Sequence, residues 1–306
     1  MGRDQNRVGE LSVGEVLNLA YNKQGRQEKM RYVRMETFTW QITLSVILTL
    51  CVSIGYAEIL FQDDFEGKNA IGQRVIDETK WMPLPSWKLS DNADQHAVLG
   101  KKVLDIWGHG AGLSIAEFPA EFDYYADFKT MEGTGPGSVA RFVFHAQEDR
   151  VDPLNLIQAN SIYNYYSASI TTEGAKYSPQ HIRWTRHFVR ERVRQVWSVP
   201  FADRQSRKRD VWYRVKFEVR ANQQFYAYLG EVGADPNELI FVGTWTDVKK
   251  GFAQGKIGFS MIGNVKGGWG ERAQFDNIVV TTPGSHPLPV APSGKLSLTW
   301  GELKRE

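Results

Sequence analysis

Seven side chains in this sequence have types that suit a ligand with apolar faces and a polar rim: Arg141, His145, Asn164, Tyr165, Tyr166, Trp184 and Trp269. A sugar is such a ligand. Its C–H faces stack on aromatic rings, and its hydroxyls take amide, carboxylate or guanidinium partners. Arg141 and His145 both lie in SVARFVFH at an even spacing, so a strand puts them on one face. Tyr165 and Tyr166 are adjacent, so one points inward and the other outward. Trp269 stands among Gly267, Gly268 and Gly270, where packing partners are fewer. For the other aromatics, burial in a core is the competing reading.

Other chemistries are signalled less. There is no H-E-x-x-H pattern and no cysteine pair, so no zinc site is indicated. Cys51 is the one cysteine, which leaves residues 58–306 without disulfide or thiol chemistry. The most basic stretch is IRWTRHFVRERVRQVW, residues 182–197. A strand is favoured there, and its period would put Arg186, Arg190, Arg192 and Arg194 on one face. Such a face could take the carboxylate or sulfate of an anionic glycan, or could simply be solvated beside Glu191. Residues 201–210 read as an exposed basic loop.

These side chains need strands to position them. Strand patterns recur at 59–65, 87–89, 103–107, 112–130 and 138–145, again at 164–170, 211–219, 225–230 and 240–246, and finally in the segment 255–280. That last segment, GKIGFSMIGNVKGGWGERAQFDNIVV, reads as two strands with a glycine-rich loop over 264–272. In its second half Ala273, Phe275, Asn277 and Val279 alternate with Gln274, Asp276, Ile278 and Val280. The connection 146–162 is long for a compact domain. No internal repeat is evident, which argues against a propeller or solenoid.

The pattern GKIGF … AQFDNIVV resembles the closing strands of concanavalin A-like lectin/glucanase sandwiches. It looks most like the secreted bacterial 3-keto-disaccharide hydrolase-like, or LamG-like, subgroup. The NYY motif at 164–166, VWYRVKFEV and FYAYLG carry the same resemblance. It implies an all-β fold, a concanavalin A-like jelly roll of two antiparallel sheets, with the closing strand near the opening one at 59–65. It also implies a ligand on the concave sheet face, reached by the "FR…NYY" strands; here Arg141 precedes Phe142, the reverse of the usual order. Asp63, Asp64 and Asp276 resemble positions where relatives hold a structural calcium. Laminarinase-type members of this fold carry E-x-D-x-x-E, whose carboxylates act as nucleophile and acid/base. The nearest match is Glu121 and Asp123 in EFDYYAD, with the third acid missing. Asp127 comes one position late and is expected on the opposite face, while Glu121 and Asp123 read as solvent-facing.

Three regions are expected. Residues 1–57 form a polar extension followed by an N-terminal signal or anchor helix. The run FTWQITLSVILTLCVSIGYA, residues 38–57, has 20 residues without a charge. Gly55-Tyr56-Ala57 makes a small-x-small cleavage site before Glu58, and Met30 followed by Arg31 and Arg34 would start an ordinary signal peptide. The other reading is an uncleaved membrane anchor. Residues 58–282 form the sandwich. Residues 283–306 are a proline-rich linker and tail.

The formal net charge of +2 singles out no partner by its field, and nucleic acid is not expected. The expected protein is a secreted, periplasmic or cell-surface monomer whose partner is a poly- or oligosaccharide. It would meet a membrane only through an uncleaved N-terminal segment. No acid pair stands out, so binding is favoured over catalysis. The alternatives are a glycoside hydrolase of the 3-keto-disaccharide hydrolase-like group and a structural or adhesive surface module.

Overall fold

The computed structural model describes residues 58–83, 87–93, 99–108, 110–132, 138–147, 164–173, 180–188, 195–232, 238–261, 263–264 and 269–285. The expected signal or anchor helix, most of the 146–162 connection, Arg190, Arg192, Arg194 and the tail beyond Ser285 lie outside those residues.

The described chain is built of strands. In order they are β1 (Ile59–Asp63), β2 (Trp81–Met82), β3 (Trp87–Asp91), β4 (Lys102–Gly108), β5 (Gly110–Phe118), β6 (Phe122–Thr130), β7 (Val139–Ala146) and β8 (Tyr165–Thr171). Then come β9 (His181–His187), β10 (Gln195–Pro200), β11 (Trp212–Arg220), β12 (Gln224–Glu231), β13 (Ile240–Thr246), β14 (Gly255–Met261), β15 (Gly263–Asn264) and β16 (Trp269–Thr281). A nine-stranded sheet runs β13-β12-β11-β6-β16-β4-β3, with β1 and β15 also paired to β16. A seven-stranded sheet runs β10-β9-β8-β7-β14-β5-β2. The strand pairs are antiparallel, and together the sheets form the jelly-roll sandwich expected from the sequence.

Period-two patterning makes the core. Ala140, Phe142 and Phe144 of β7 face Phe217 of β11 and Phe275 of β16, with ring centroids 5.0–5.6 Å apart. β1 pairs with β16 as expected, Phe61 opposite Val280. Gly258 of β14 is required by a close approach. A Cβ there would collide with the Gly112 carbonyl of β5, so only glycine lets these strands close.

Several details differ from the sequence reading. Residues 182–197 are not one strand. β9 and β10 pair antiparallel, with Trp184 opposite Trp197. Arg186 turns inward to Asp247, at 3.2 Å to both oxygens, because it shares parity with Trp184 and Ile182. Of the expected 264–272 loop, the described residues Asn264 and 269–272 are strand, since β15 pairs with the start of β16. The alternation in 273–280 breaks at a bulge after Asp276, where Asn277 has φ 49°. Phe275 and Ile278 therefore both enter the core, despite their odd spacing. In the basic loop Arg207 is buried and bonds Asp203 at 2.6 Å. Asp123 is buried too, bonded to Arg220 at 2.7 Å and facing Lys216 at 3.2 Å. Asp127 shares its face, because an even spacing along a strand returns to the same side.

Candidate functional site

The seven-stranded sheet turns one face to the core and the other outward. Its outward residues are unusually polar. On β7 they include Arg141, on β8 Tyr165, Ser167 and Ser169, on β9 Arg183, Thr185 and His187, and on β14 Ser260. Register aligns them in rows. Arg141 pairs with Ser169, and Ser169 with Arg183; two residues along, Ser167 pairs with Thr185. Most of these side chains are buried, and Tyr165 packs within the hydrophobic core cluster.

The row is held by charge-assisted bonds. Arg141 Nη1 donates to Ser169 Oγ at 2.5 Å, and Nη2 reaches both oxygens of Glu271 at 3.1 and 3.2 Å. Glu271 comes from β16 in the other sheet, so this ion pair ties the two sheets together. Further along, the Tyr165 ring stacks on His187 at 4.1 Å and an interplanar angle of 22°. The His187 Nε2 lies 3.4 Å from Ser167 Oγ.

Among the described residues, four buried polar atoms on this face have no hydrogen-bond partner: Arg141 Nε, His181 Nδ1, Thr185 Oγ1 and Ser260 Oγ. Each such atom costs about 1–3 kcal/mol, and folded proteins rarely leave them without a reason. Arg141, Thr185 and Ser260 contribute one guanidinium N–H and two hydroxyls that can donate or accept, all three closed to solvent in this structure.

The structure brings two of the seven sequence candidates to this face, Arg141 and Tyr165. Tyr166 points the other way. Its hydroxyl donates to Asp247 at 2.8 Å and accepts from the Gly251 and Phe252 amides, and burial raises its pKa far above the usual phenol value. Trp184 is a core residue packed on Phe217, Phe225 and Trp245. His145 leaves the Arg141 face because its own φ of 49° breaks the alternation. Its ring packs on Phe122, with one nitrogen 3.2 Å from the Pro119 carbonyl and the other 3.2 Å from the Phe252 carbonyl. Burial lowers its pKa to about 4. Asn164 opens β8, its carbonyl accepting from the Gln147 amide at 3.0 Å. The Trp269 backbone pairs with Asn264, and its side chain lies outside the described residues.

Sequence reasoning missed Ser167, Ser169, Thr185, Ser260 and Glu271. Small hydroxyls belong to no motif. The one signal is the period-two serines of YYSAS, which place both on the side opposite Ala168.

The three aspartates have separate roles. Asp63 accepts from Trp81 Nε1 at 2.6 Å and from the Phe65 amide at 3.1 Å, so it is committed inside the core. Asp64 accepts from the Glu66 amide at 3.2 Å. Asp276 is fully buried and accepts from the Asn277 and Gly100 amides at 2.8 and 3.2 Å. Burial, with added repulsion from Asp127 and Asp64, pushes its pKa well above the usual carboxylate range. Asp127 itself is neutralised by Arg214 at 2.7 and 2.8 Å. Among the described residues, no three acidic, histidine or cysteine side chains converge as a metal ligand set.

No protein-family model matches the chain. No curated protein matches it either. Among solved structures, it is similar to the carbohydrate-binding module CBM66 from Bacillus subtilis at 17% identity and a TM-score of 0.43, covering 67% of this chain and 98% of that one. An endo-beta-1,4-glucuronan lyase from the fungus Trichoderma reesei shows 14% identity and a TM-score of 0.40, over 74% of this chain and 96% of that one. The VIP36 exoplasmic/lumenal domain, in its Ca2+/Man3GlcNAc-bound form, shows 9% identity and a TM-score of 0.39, over 70% of this chain and 92% of that one. These likenesses are loose and assign no activity to this chain.

Proposed function

We propose that this protein binds carbohydrate, and that the outward face of its seven-stranded sheet is the floor of the site. The observation that carries the reading is the group of unpartnered buried polar atoms on Arg141, Thr185 and Ser260. Tyr165 over His187 supplies an aromatic element beside them. A glycosidase would need two carboxylates flanking the scissile bond, about 5–10 Å apart. The acid bonded to the Arg141 row is Glu271, and Arg141 holds both of its oxygens. That favours binding over hydrolysis.

The double variant Thr185→Val/Ser260→Ala tests the reading. Neither hydroxyl has a partner among the described residues, so removing them is expected to raise stability by about 1–3 kcal/mol each. If the hydroxyls serve a ligand, affinity for soluble oligosaccharides on a glycan array falls about tenfold in the same variant. Higher stability with unchanged glycan binding would refute the proposal. Binding confined to acidic glycans and lost with salt would move the site to the arginines of the β9–β10 region.

Two finer readings accompany this one. The chain is exported, with the cut before Glu58. A calcium ion is held at Asp276 with Asp64, completed by backbone and water oxygens, because a cation would compensate the buried Asp276 charge.

A further inference from the structure

A second feature lies on the outward face of the nine-stranded sheet. β12 and β13 pair in step from Gln224–Thr246 to Ala227–Gly243; the next pair is Tyr228–Phe241, which skips Val242. This bulge reverses the parity of β13. Trp245 and Gly243 face inward, so unbroken alternation would send Phe241 inward as well. Instead Val242 enters the core at 0% exposure, and Phe241 stands outward at 39%. Bulges that re-aim a side chain are common beside functional sites. Here the bulge puts a large apolar ring in water.

Phe241 meets other aromatics there. Its ring is edge-on to Tyr228, with centroids 5.6 Å apart and an interplanar angle of 65°. Tyr226 precedes Tyr228 by two positions, on the same outward face and also half-buried. Two residues along a strand is about 6.8 Å, so one extended chain can touch both rings.

The charges beside the rings cancel. Lys216 Nζ lies 2.7 Å from Glu218 and 3.2 Å from Asp123, and 5.5 Å from the centre of the Tyr228 ring. Arg220 bonds Asp123 at 2.7 Å and Glu218 at 3.0 Å. Two cations and two anions leave no net charge to attract an anionic polymer. They leave a fixed array of donors and acceptors next to exposed rings. That combination suits an uncharged polyhydroxylated ligand.

We infer that Tyr226, Tyr228 and Phe241 form a second glycan-binding platform, for a neutral polysaccharide chain, on the sheet opposite the first site. The inference shares its ligand class with the proposed function but uses different residues. Two sites on opposite sheets would make the protein bivalent, so a long polymer would be held more tightly than a short one.

The test uses the full chain and four insoluble polysaccharides: cellulose, chitin, xylan and a β-1,3-glucan. The variants are Phe241→Ser, Tyr228→Ala and, as a comparison, Thr185→Val/Ser260→Ala. Phe241→Ser and Tyr228→Ala are expected to lower retention on the polymer that holds the native protein by about tenfold. Their melting temperatures and soluble oligosaccharide binding should stay native. Unchanged retention in both variants would overturn the inference, as would no retention of the native protein on any of the four polymers. A native dimer that Phe241→Ser converts to monomer would also overturn it, by making the patch a self-contact. Because soluble oligosaccharide binding is scored separately, failure here leaves the first site standing, and failure there leaves this platform standing.

Discussion

His145 shows how one dihedral angle moves a residue from a ligand list to a structural one. Its ring is closed off between Phe122 and two carbonyl groups, and burial holds its pKa at about 4 against an ordinary 6.5. The folded protein therefore favours the neutral ring. Between those values the unfolded chain binds a proton that the folded chain refuses, so stability is full above pH 6.5 and is lost as pH falls toward 4. The difference is roughly 3 kcal/mol. Urea unfolding near neutral pH and at about pH 4.5 should show that loss in the native protein and much less of it in His145→Gln. Equal acid sensitivity in both would show that His145 does not carry it. At this scale the sequence was partly legible. Adjacency showed that Tyr165 and Tyr166 must part, but not which would enter the core. Burial of Tyr166 was decided by Asp247, a residue 81 positions away, and no local pattern records that partner.

The strands were more legible than their exceptions. Apolar alternation located most of them, because a half-buried strand writes its period into the sequence. It failed where the backbone steps out of register, at Asn277 in β16 and at Val242 in β13. It also joined β9 and β10, since both strands carry the same residue types. The β16 bulge has a use of its own. It buries Asp276 next to Asp127 while Asn277 Nδ2 bonds Asp127 at 2.9 Å. If calcium completes that junction, millimolar calcium raises the melting temperature and a chelator lowers it, both by several degrees. Asp276→Asn should then melt lower and lose the response. If no cation binds there, the same substitution removes a buried charge, and the variant melts higher with no calcium response.

Across the whole molecule, both sheets carry polar residues on their outward faces, and the aromatic-rich core lies between them. The abundance of Phe, Tyr and Trp in the sequence fitted both a core and a sugar surface. The structure assigns most of these rings to the core and leaves a few outward. Which are outward depends on strand order and bulges, and so could not be read from composition. Among the described residues the sandwich opens at β1, directly after the proposed cut. Intact-mass measurement of the protein from culture medium or periplasm should give a chain beginning at Glu58; a chain retaining residues 38–57 would replace export by anchoring.

The placement of β16 also governs when this sandwich can form. β16, the last strand among the described residues, does not sit at an edge. It is inserted between β6 and β4 and closes against β1, with the Glu58 amide bonded to Thr282 across 224 positions of sequence. Until that strand is present, β6 and β4 both keep bare edges and the nine-stranded sheet is split in two. A nascent chain therefore cannot complete its fold from the N-terminus onward, and the slow search for distant partners begins only after nearly all of it has been made. If the chain is exported as proposed, late closure would keep it open for threading through a translocation pore, and its exposed edges would need guarding against one another until β16 arrives.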